Sequence, residues 1–324
     1  MNYITYLQQY RRLLKHEGRV QVDFEKQSKN IIGRSTLYNW WVDNEVYIWF
    51  VRRYQDLLED ADKKISFCSV FGKREVLAKV NGIKVFFSGE NVHRAPYDEY
   101  ADHLLTDKTT SLGLGFDCFE DDRYVRFPLW ILYMFKPTSS REDVIERCKE
   151  LRYPEVSGKS RFCSMVASHD FNEIRKKMVD GLRVVESVSC AGRYLHNDDS
   201  LKNEYNDNKI NYLKDFYFNI CPENSNSYGY VTEKLFEAIS AGCVPVYWGS
   251  YNSPEPMILN SEAILFWDMD KDNDGLLHRV EGLYSSPDQL NDFLHLPRLK
   301  EGAEDVVWEM FQKLDTAIAK LLNE

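Results

Sequence analysis

Eight short runs rich in β-branched and aromatic residues alternate with six amphipathic stretches, and no other feature of the 324-residue chain limits its fold as tightly. The runs that read as strands are 65–71, 84–88, 103–106, 161–167, 184–188, 216–221, 244–248 and 263–267. The stretches with helical periodicity are 44–58, 141–151, 171–180, 231–241, 276–283 and 304–322. In the last of these, Val307, Phe311, Leu314, Ile318 and Leu321 share one face. Strands that alternate with helices pair in parallel, and the crossover helices cover the sheet faces. Residues 152–160, with Pro154, Ser157 and Gly158, read as a linker between two similar α/β halves, 1–153 and 160–324. Two halves facing each other would form a cleft at the strand carboxyl ends, where open sheets bind ligands.

Composition narrows the partners. The chain has 41 basic and 51 acidic residues and a formal net charge of −10. That balance argues against nucleic acid and against general attraction to anionic lipid, while a local basic pocket for one phosphorylated ligand stays open. Seven cysteines are spaced too widely for a CxxC pair and sit mostly in apolar runs, which predicts buried, reduced thiols. Residues 1–20 are polar, without the apolar core of a secretory signal, and the longest uncharged apolar run, 127–135, is far short of a membrane span. The expectation is a protein of the cytoplasm, or one held loosely at the inner face of a bacterial membrane.

The chemistry should lie just past the strands. The run 84–88 leads into Gly89-Glu90-Asn91, where a carboxylate behind a turning glycine suits a general base, although a strand-end Glu is also a common surface residue. The run 161–167 leads into Ser168-His169-Asp170, with Ser168 or Asp170 as a helix cap. Arg175 then reads either as a phosphate clamp or, beside Lys176 and Lys177, as a solvated arginine. The densest group follows 216–221: Glu223-Asn224-Ser225, then Gly229-Tyr230-Val231-Thr232-Glu233-Lys234. Thr232 is placed to cap a helix whose first turn carries Glu233 and Lys234, with Leu235, Ala238 and Ile239 on its buried face. Amide N–H groups and a lysine at such a tip suit an anion, and Glu233 can accept from a sugar hydroxyl. His93, three residues after Glu90, reads as an acceptor contact, an alternative base or an exposed loop residue.

The order of these residues is specific. From Glu223-Asn224-Ser225 through Tyr230-Val231-Thr232-Glu233-Lys234 to Gly242-Cys243-Val244-Pro245-Val246-Tyr247-Trp248-Gly249, about 27 residues resemble the signature of the α1,3/4-fucosyltransferases, glycosyltransferase family ten. Ser88-Gly89-Glu90-Asn91, Gly115-Phe116-Asp117 and Asp122-Arg123-Tyr124-Val125-Arg126-Phe127-Pro128-Leu129 resemble it in the other half, as does Trp40-Trp41-Val42-Asp43 upstream. The matches span about 38–290, so the first ~35 residues read as an extra segment. The resemblance departs at Pro222, where an aromatic residue is usual. It also lacks the heptad repeats and basic tail of many bacterial members, so a short or trimmed chain is expected, without attachment through such a tail.

The resemblance implies a GT-B fold, two Rossmann-like domains facing a central cleft, the first binding acceptor and the second GDP-fucose. It implies inverting transfer of L-fucose from GDP-β-L-fucose to the 3-hydroxyl of N-acetylglucosamine in lactosamine-type acceptors, giving Lewis x type products as in lipopolysaccharide O-antigens. Glu90 matches the family's base. Asn224, Tyr230, Glu233 and Lys234 match donor-binding residues, and Arg175 matches the phosphate-binding arginine better than Arg193 does. No metal is called for, because Lys234, Arg175 and helix N–H groups would meet the charge growing on the leaving diphosphate. Two other readings stay open: a GT-B transferase of another nucleotide sugar, and a non-catalytic glycan- or calcium-binding protein. The calcium reading rests on Asp270-Lys271-Asp272-Asn273-Asp274-Gly275 with Glu281, which fits an EF-hand loop although a strand precedes it.

Overall fold

The computed structural model describes residues 29–40 and 45–323. Among them are eleven strands: β1 (Lys29–Ile32), β2 (Ser35–Tyr38), β3 (Ile65–Cys68), β4 (Ile83–Phe87), β5 (Leu112–Gly115), β6 (Tyr124–Arg126), β7 (Arg161–Met165), β8 (Val188–Cys190), β9 (Phe216–Ile220), β10 (Val244–Tyr247) and β11 (Leu265–Phe266). They form two sheets, ordered β1-β2-β3-β4-β5-β6 and β11-β10-β9-β7-β8. Every pairing is parallel except the β1–β2 hairpin. The fold is of the GT-B class, with two α/β units of Rossmann-like build.

The first compact unit is Met1–Arg141 with Val307–Glu324, and the second is Glu142–Val306. Packing thus divides the chain differently from the 153/160 linker. The helix Arg141–Arg152 joins the second unit because Arg147 donates to Ser240 Oγ at 2.8 Å and Arg152 to Glu304 Oε2 at 2.6 Å. The C-terminal helix Ala303–Asn323 lends its later turns to the first unit. Its Phe311 packs on Trp49, Phe127 and Phe135, and Asp315 accepts a two-point bond from Arg53, at 2.7 and 2.6 Å, and a third from Tyr54. A forked guanidinium–carboxylate pair of this kind is both strong and directional.

The first sheet is covered on both faces. Consecutive strand residues point to opposite sides, so Phe86 and Phe87 serve different cores. Phe86 stacks on Tyr100 and shares a cluster with Cys68, Leu77, Val92 and Leu104. Phe87 meets Trp40 and Phe50 in an aromatic layer that also holds Phe67. This continuous burial explains why the parallel strands read as apolar runs.

Several expected elements moved. Residues 103–106 form most of a short helix, Asp102–Leu105, not a strand; a four-residue apolar run carries no period that separates the two. β8 starts at Val188, the last residue of the expected 184–188, and runs to Cys190. β1, β2, β5 and β6 went unread. β5 is Leu-Gly-Leu-Gly, a poor strand by propensity, but a Cβ at Gly113 would stand 1.8 Å from the Leu104 carbonyl oxygen, so the close approach selects glycine. Residues from Lys29 onward belong to the first sheet, which shortens the segment read as extra. Residues 1–28, and the Trp41, Val42 and Asp43 of the upstream resemblance with the helix start at Asn44, lie outside the described residues.

The seven cysteines are free thiols; six are buried and Cys118 is exposed. Among the described residues, no helix is long and apolar enough to cross a membrane.

Candidate functional site

The order of the second sheet fixes where a ligand can sit. From β7 the chain first adds β8 on one side, then crosses to β9, β10 and β11 on the other. The connections leaving β7 and β9 therefore diverge, which opens a crevice at the carboxyl ends of those strands. Arg175, Asn224, Tyr230, Glu233 and Lys234 all lie on these two connections.

Arg175 spans the crevice. It is the second residue of the helix Ile174–Leu182 and is only 5% exposed. Its Nη1 donates to the His169 carbonyl at 2.6 Å and its Nη2 to Asn224 Oδ1 at 2.7 Å. Asn172 Nδ2 donates to the Asn224 carbonyl at 3.3 Å. Burial lowers the guanidinium pKa, while Asp170, Glu223, Tyr230 and Glu233 pull it up, so these groups share one electrostatic neighbourhood. The solvated reading of Arg175 does not hold: Lys176 and Lys177 face out, but the helical turn carries Arg175 inward. Neither Ser168 nor Asp170 is the N-cap residue. The helix starts later, after Glu173 at φ 63°, and Asp170 Oδ2 accepts from Lys176 N at 2.8 Å across that turn.

The loop after β9 reaches the helix Glu233–Ser240, which buries Leu235, Phe236, Ala238 and Ile239. Thr232 holds the N-cap position, but its side chain makes no capping bond. The buried carboxylate of Glu223 takes over: Oε1 accepts from Thr232 N at 2.8 Å and Oε2 from Thr232 Oγ1 at 2.6 Å. Lys234 Nζ donates to Thr232 Oγ1 at 2.8 Å and lies 3.5 Å from Glu223 Oε2 and 3.4 Å from Glu233 Oε1. Burial raises the Glu223 pKa against the pull of Lys234. For Glu233 burial also acts upward, but Lys234 and Lys209 outweigh it and the pKa is lowered. Tyr230 is buried in the same group.

Pro222 does not divert this loop. Cys221 N donates to Val246 O on β10 and Glu223 N to Trp248 O just past it, so the missing N–H of Pro222 falls on the side away from β10. Gly249, at φ 146°, leaves room for the buried acid, since a Cβ there would stand 2.7 Å from Glu223 Cγ. Ser250, Tyr251 and Asn252 follow with φ near +50°, a costly run for non-glycine residues. It is held by bonds from Tyr251 N to Asn226 Oδ1, from Gly229 N to Ser250 Oγ and from Asn252 Nδ2 to the Trp267 carbonyl. Arg193 is exposed on the loop after β8.

In the first unit, Glu90 lies three residues past β4, half-buried, in a turn that Ser88 closes by donating to the Glu90 carbonyl and accepting from its N–H. Gly89 is not needed for a left-handed turn as expected; a Cβ would press on Leu129, 2.9 Å away. His93 is paired: its Nε2 lies 2.8 Å from Asp117 Oδ1, and its ring meets Phe116 edge-on. The hydrogen bond to Asp117 raises the imidazole pKa despite partial burial.

The calcium-like loop folds on itself. Asp268 Oδ1 accepts from Asp270 N, Asp268 Oδ2 pairs with Lys271 at 2.9 Å, and Asn273 closes the turn on the Asp268 backbone. Among the described residues, no three His, Cys, Asp or Glu side chains converge to hold a metal ion.

Comparison with known proteins bears on the same residues. The model of the "Alpha-(1,3)-fucosyltransferase FucT N-terminal domain" matches 38–133, and that of "Glycosyltransferase family 10 (fucosyltransferase) C-term" matches 156–297. The chain belongs to glycosyltransferase family 10. A curated relative, the alpha-(1,3)-fucosyltransferase FucT of Helicobacter pylori, is 29% identical over 254 residues, covering 65% of this chain and 49% of its own length. The chain thus spans about half the length of that relative. Two solved structures share the fold of this family-10 chain. A crystal structure of an α1,3-fucosyltransferase matches with TM-score 0.59 at 21% identity, covering 92% of this chain and 94% of that one. One with GDP-fucose matches with TM-score 0.56 at 21% identity, covering 90% of each.

The sequence reading did not single out Glu223 as the buried partner of Thr232. The signal was present as an acid opening the loop nine residues before the threonine at the N-cap position, but nothing in the sequence alone marks it as buried.

Proposed function

We propose that this chain is an inverting α1,3-fucosyltransferase that moves L-fucose from GDP-β-L-fucose to the 3-hydroxyl of N-acetylglucosamine in lactosamine-type acceptors. The observation that carries the reading is the crevice between the β7 and β9 connections. There Arg175 holds Asn224 while a buried acid and a threonine hold Lys234 at a helix tip. That is the chemistry a nucleoside diphosphate needs: a lysine, N–H donors of the helix start and an oriented amide. The name of the curated relative supports fucose as the transferred sugar.

In this reading Glu90 takes the proton from the acceptor hydroxyl as its oxygen bonds to the anomeric carbon from the face opposite the diphosphate. The sugar passes through an oxocarbenium-like state and GDP leaves with charge growing on its β-phosphate. Lys234 and the N–H groups of the 233–240 helix meet that charge, Asn224 and Tyr230 donate to the diphosphate, and Arg175 adds positive potential while keeping Asn224 in place. Glu233 accepts from a hydroxyl of the donor.

The test is transfer itself. The protein is incubated with GDP-fucose and a set of lactose, N-acetyllactosamine and sialylated acceptors, and the product linkage is determined. A fucose α1,3-linked to N-acetylglucosamine is the expected product. Transfer from another nucleotide sugar with none from GDP-fucose would overturn the assignment.

A further inference from the structure

We infer that Glu223 is a positioning residue that acts on the donor through Thr232 and Lys234; the inference rests on the functional reading above. Glu223 is fully buried at the start of the loop after β9. A carboxylate placed there without partners would be strongly disfavoured. It is kept because it satisfies three groups at once: Thr232 N, Thr232 Oγ1 and, at 3.5 Å, Lys234 Nζ.

The polarity of this chain of bonds is fixed. An ionised carboxylate only accepts, so the single hydroxyl proton of Thr232 goes to Glu223 Oε2. The hydroxyl oxygen is then left to accept, and an ammonium only donates, so Lys234 Nζ is held by Thr232 Oγ1 at 2.8 Å. Glu223 thereby sets which way the hydroxyl points, and the hydroxyl sets where the ammonium stands. The same carboxylate takes over the capping bond that the Thr232 side chain does not make, so that side chain is released for the lysine. Gly249 is part of the arrangement, since any side chain there meets Glu223 at 2.7 Å. A diphosphate thus meets a lysine already ordered, without the loss of freedom that a solvated lysine side chain undergoes on binding.

Glu223→Gln keeps the shape, but presents an amide N–H2 toward the hydroxyl and removes the charge beside the ammonium. Thr232→Val keeps the shape and removes the hydroxyl; Thr232→Ser restores it. GDP affinity is measured by calorimetry and transfer by initial rates. Glu223→Gln and Thr232→Val should each weaken GDP binding roughly tenfold, on the scale of one hydrogen bond to a charged group. The acceptor KM should stay within about twofold. Thr232→Ser should recover most of the loss. The double variant Glu223→Gln/Thr232→Val should be little worse than either single one, because both act along one route. If Glu223→Gln does not fold, the Thr232 pair carries the test. Full GDP affinity in Thr232→Val, no recovery in Thr232→Ser, or multiplied losses in the double variant would each overturn this inference alone. A wild-type chain that neither binds GDP nor consumes GDP-fucose would overturn the functional reading and this inference with it.

Discussion

Replacing Asn224 with Asp should separate binding from stability. Arg175 Nη2 donates to Asn224 Oδ1 at 2.7 Å, and a guanidinium has no acceptor to offer the amide nitrogen. The amide is therefore oriented, with Oδ1 toward Arg175 and Nδ2 turned away from it, the side on which the functional reading places a phosphate oxygen. Asn224→Asp keeps the shape and gives Arg175 a carboxylate in place of a carbonyl, a stronger partner for a buried cation. It also replaces the outward N–H2 donor with a charged acceptor. A hydrogen bond to a charged group contributes about 1.5–3 kcal/mol. A carboxylate about 5 Å from a phosphate adds about 1–3 kcal/mol of repulsion at an effective dielectric near 20, after partial neutralisation by Arg175. The sum, about 2.5–6 kcal/mol, corresponds to GDP binding weakened by roughly a hundred to ten thousand times or more. Calorimetric titration with GDP gives the binding term and thermal unfolding the stability term. The expected pair of results is a large loss of affinity with an unchanged or higher Tm. Affinity within threefold of wild type, or a Tm lowered in step with affinity, would refute the orientation argument.

Glu90→Ala should lower kcat by about a hundredfold or more while GDP affinity, measured by calorimetry, stays unchanged; wild-type turnover would remove Glu90 as the base. The pairing of His93 with Asp117 holds the imidazole pKa above its usual value of about 6.5, so its stabilisation is complete below that pH and is lost as pH rises through the raised folded value. Because the His93 side chain is 41% exposed the effect is small, but the Tm gap between wild type and Asp117→Asn should shrink from pH 5.5 to 8.5, and a flat or widening gap contradicts the pairing. Phe311→Ala removes a fully buried ring from a cluster with Trp49, Phe127 and Phe135 and should cost about 3–5 kcal/mol in urea unfolding; a cost below ~1 kcal/mol would mean that the C-terminal helix is not part of that core.

The cluster around the start of the 233–240 helix was legible because it is local. Asn224, Tyr230, Glu233 and Lys234 fall within eleven consecutive residues, and a strand, a polar loop and a helix start are readable from their types. Arg175 could be named from the resemblance, but its environment could not be read: the flanking lysines suggest an exposed face, and only the helical turn shows that it points inward. The burial of Glu223 went unread because burial of a charge depends on groups brought from elsewhere, here the Gly249 backbone and the far end of the loop. β5 was hidden for a similar reason, since Gly113 and Gly115 answer to close neighbours in space rather than to strand propensity. The membership of the C-terminal helix was equally non-local. Its apolar face is plain in sequence, but Arg53 and Asp315, which tie it to the first unit, are 262 residues apart.

The central claim is that the crevice after β7 and β9 holds the diphosphate of a guanosine nucleotide. A crystal structure of the protein with GDP tests it most directly. The account predicts phosphate oxygens within hydrogen-bond distance of Asn224 Nδ2 and Lys234 Nζ, with Arg175 still bonded to Asn224. Clear density for GDP at any other place on the protein, with that crevice empty, would contradict it.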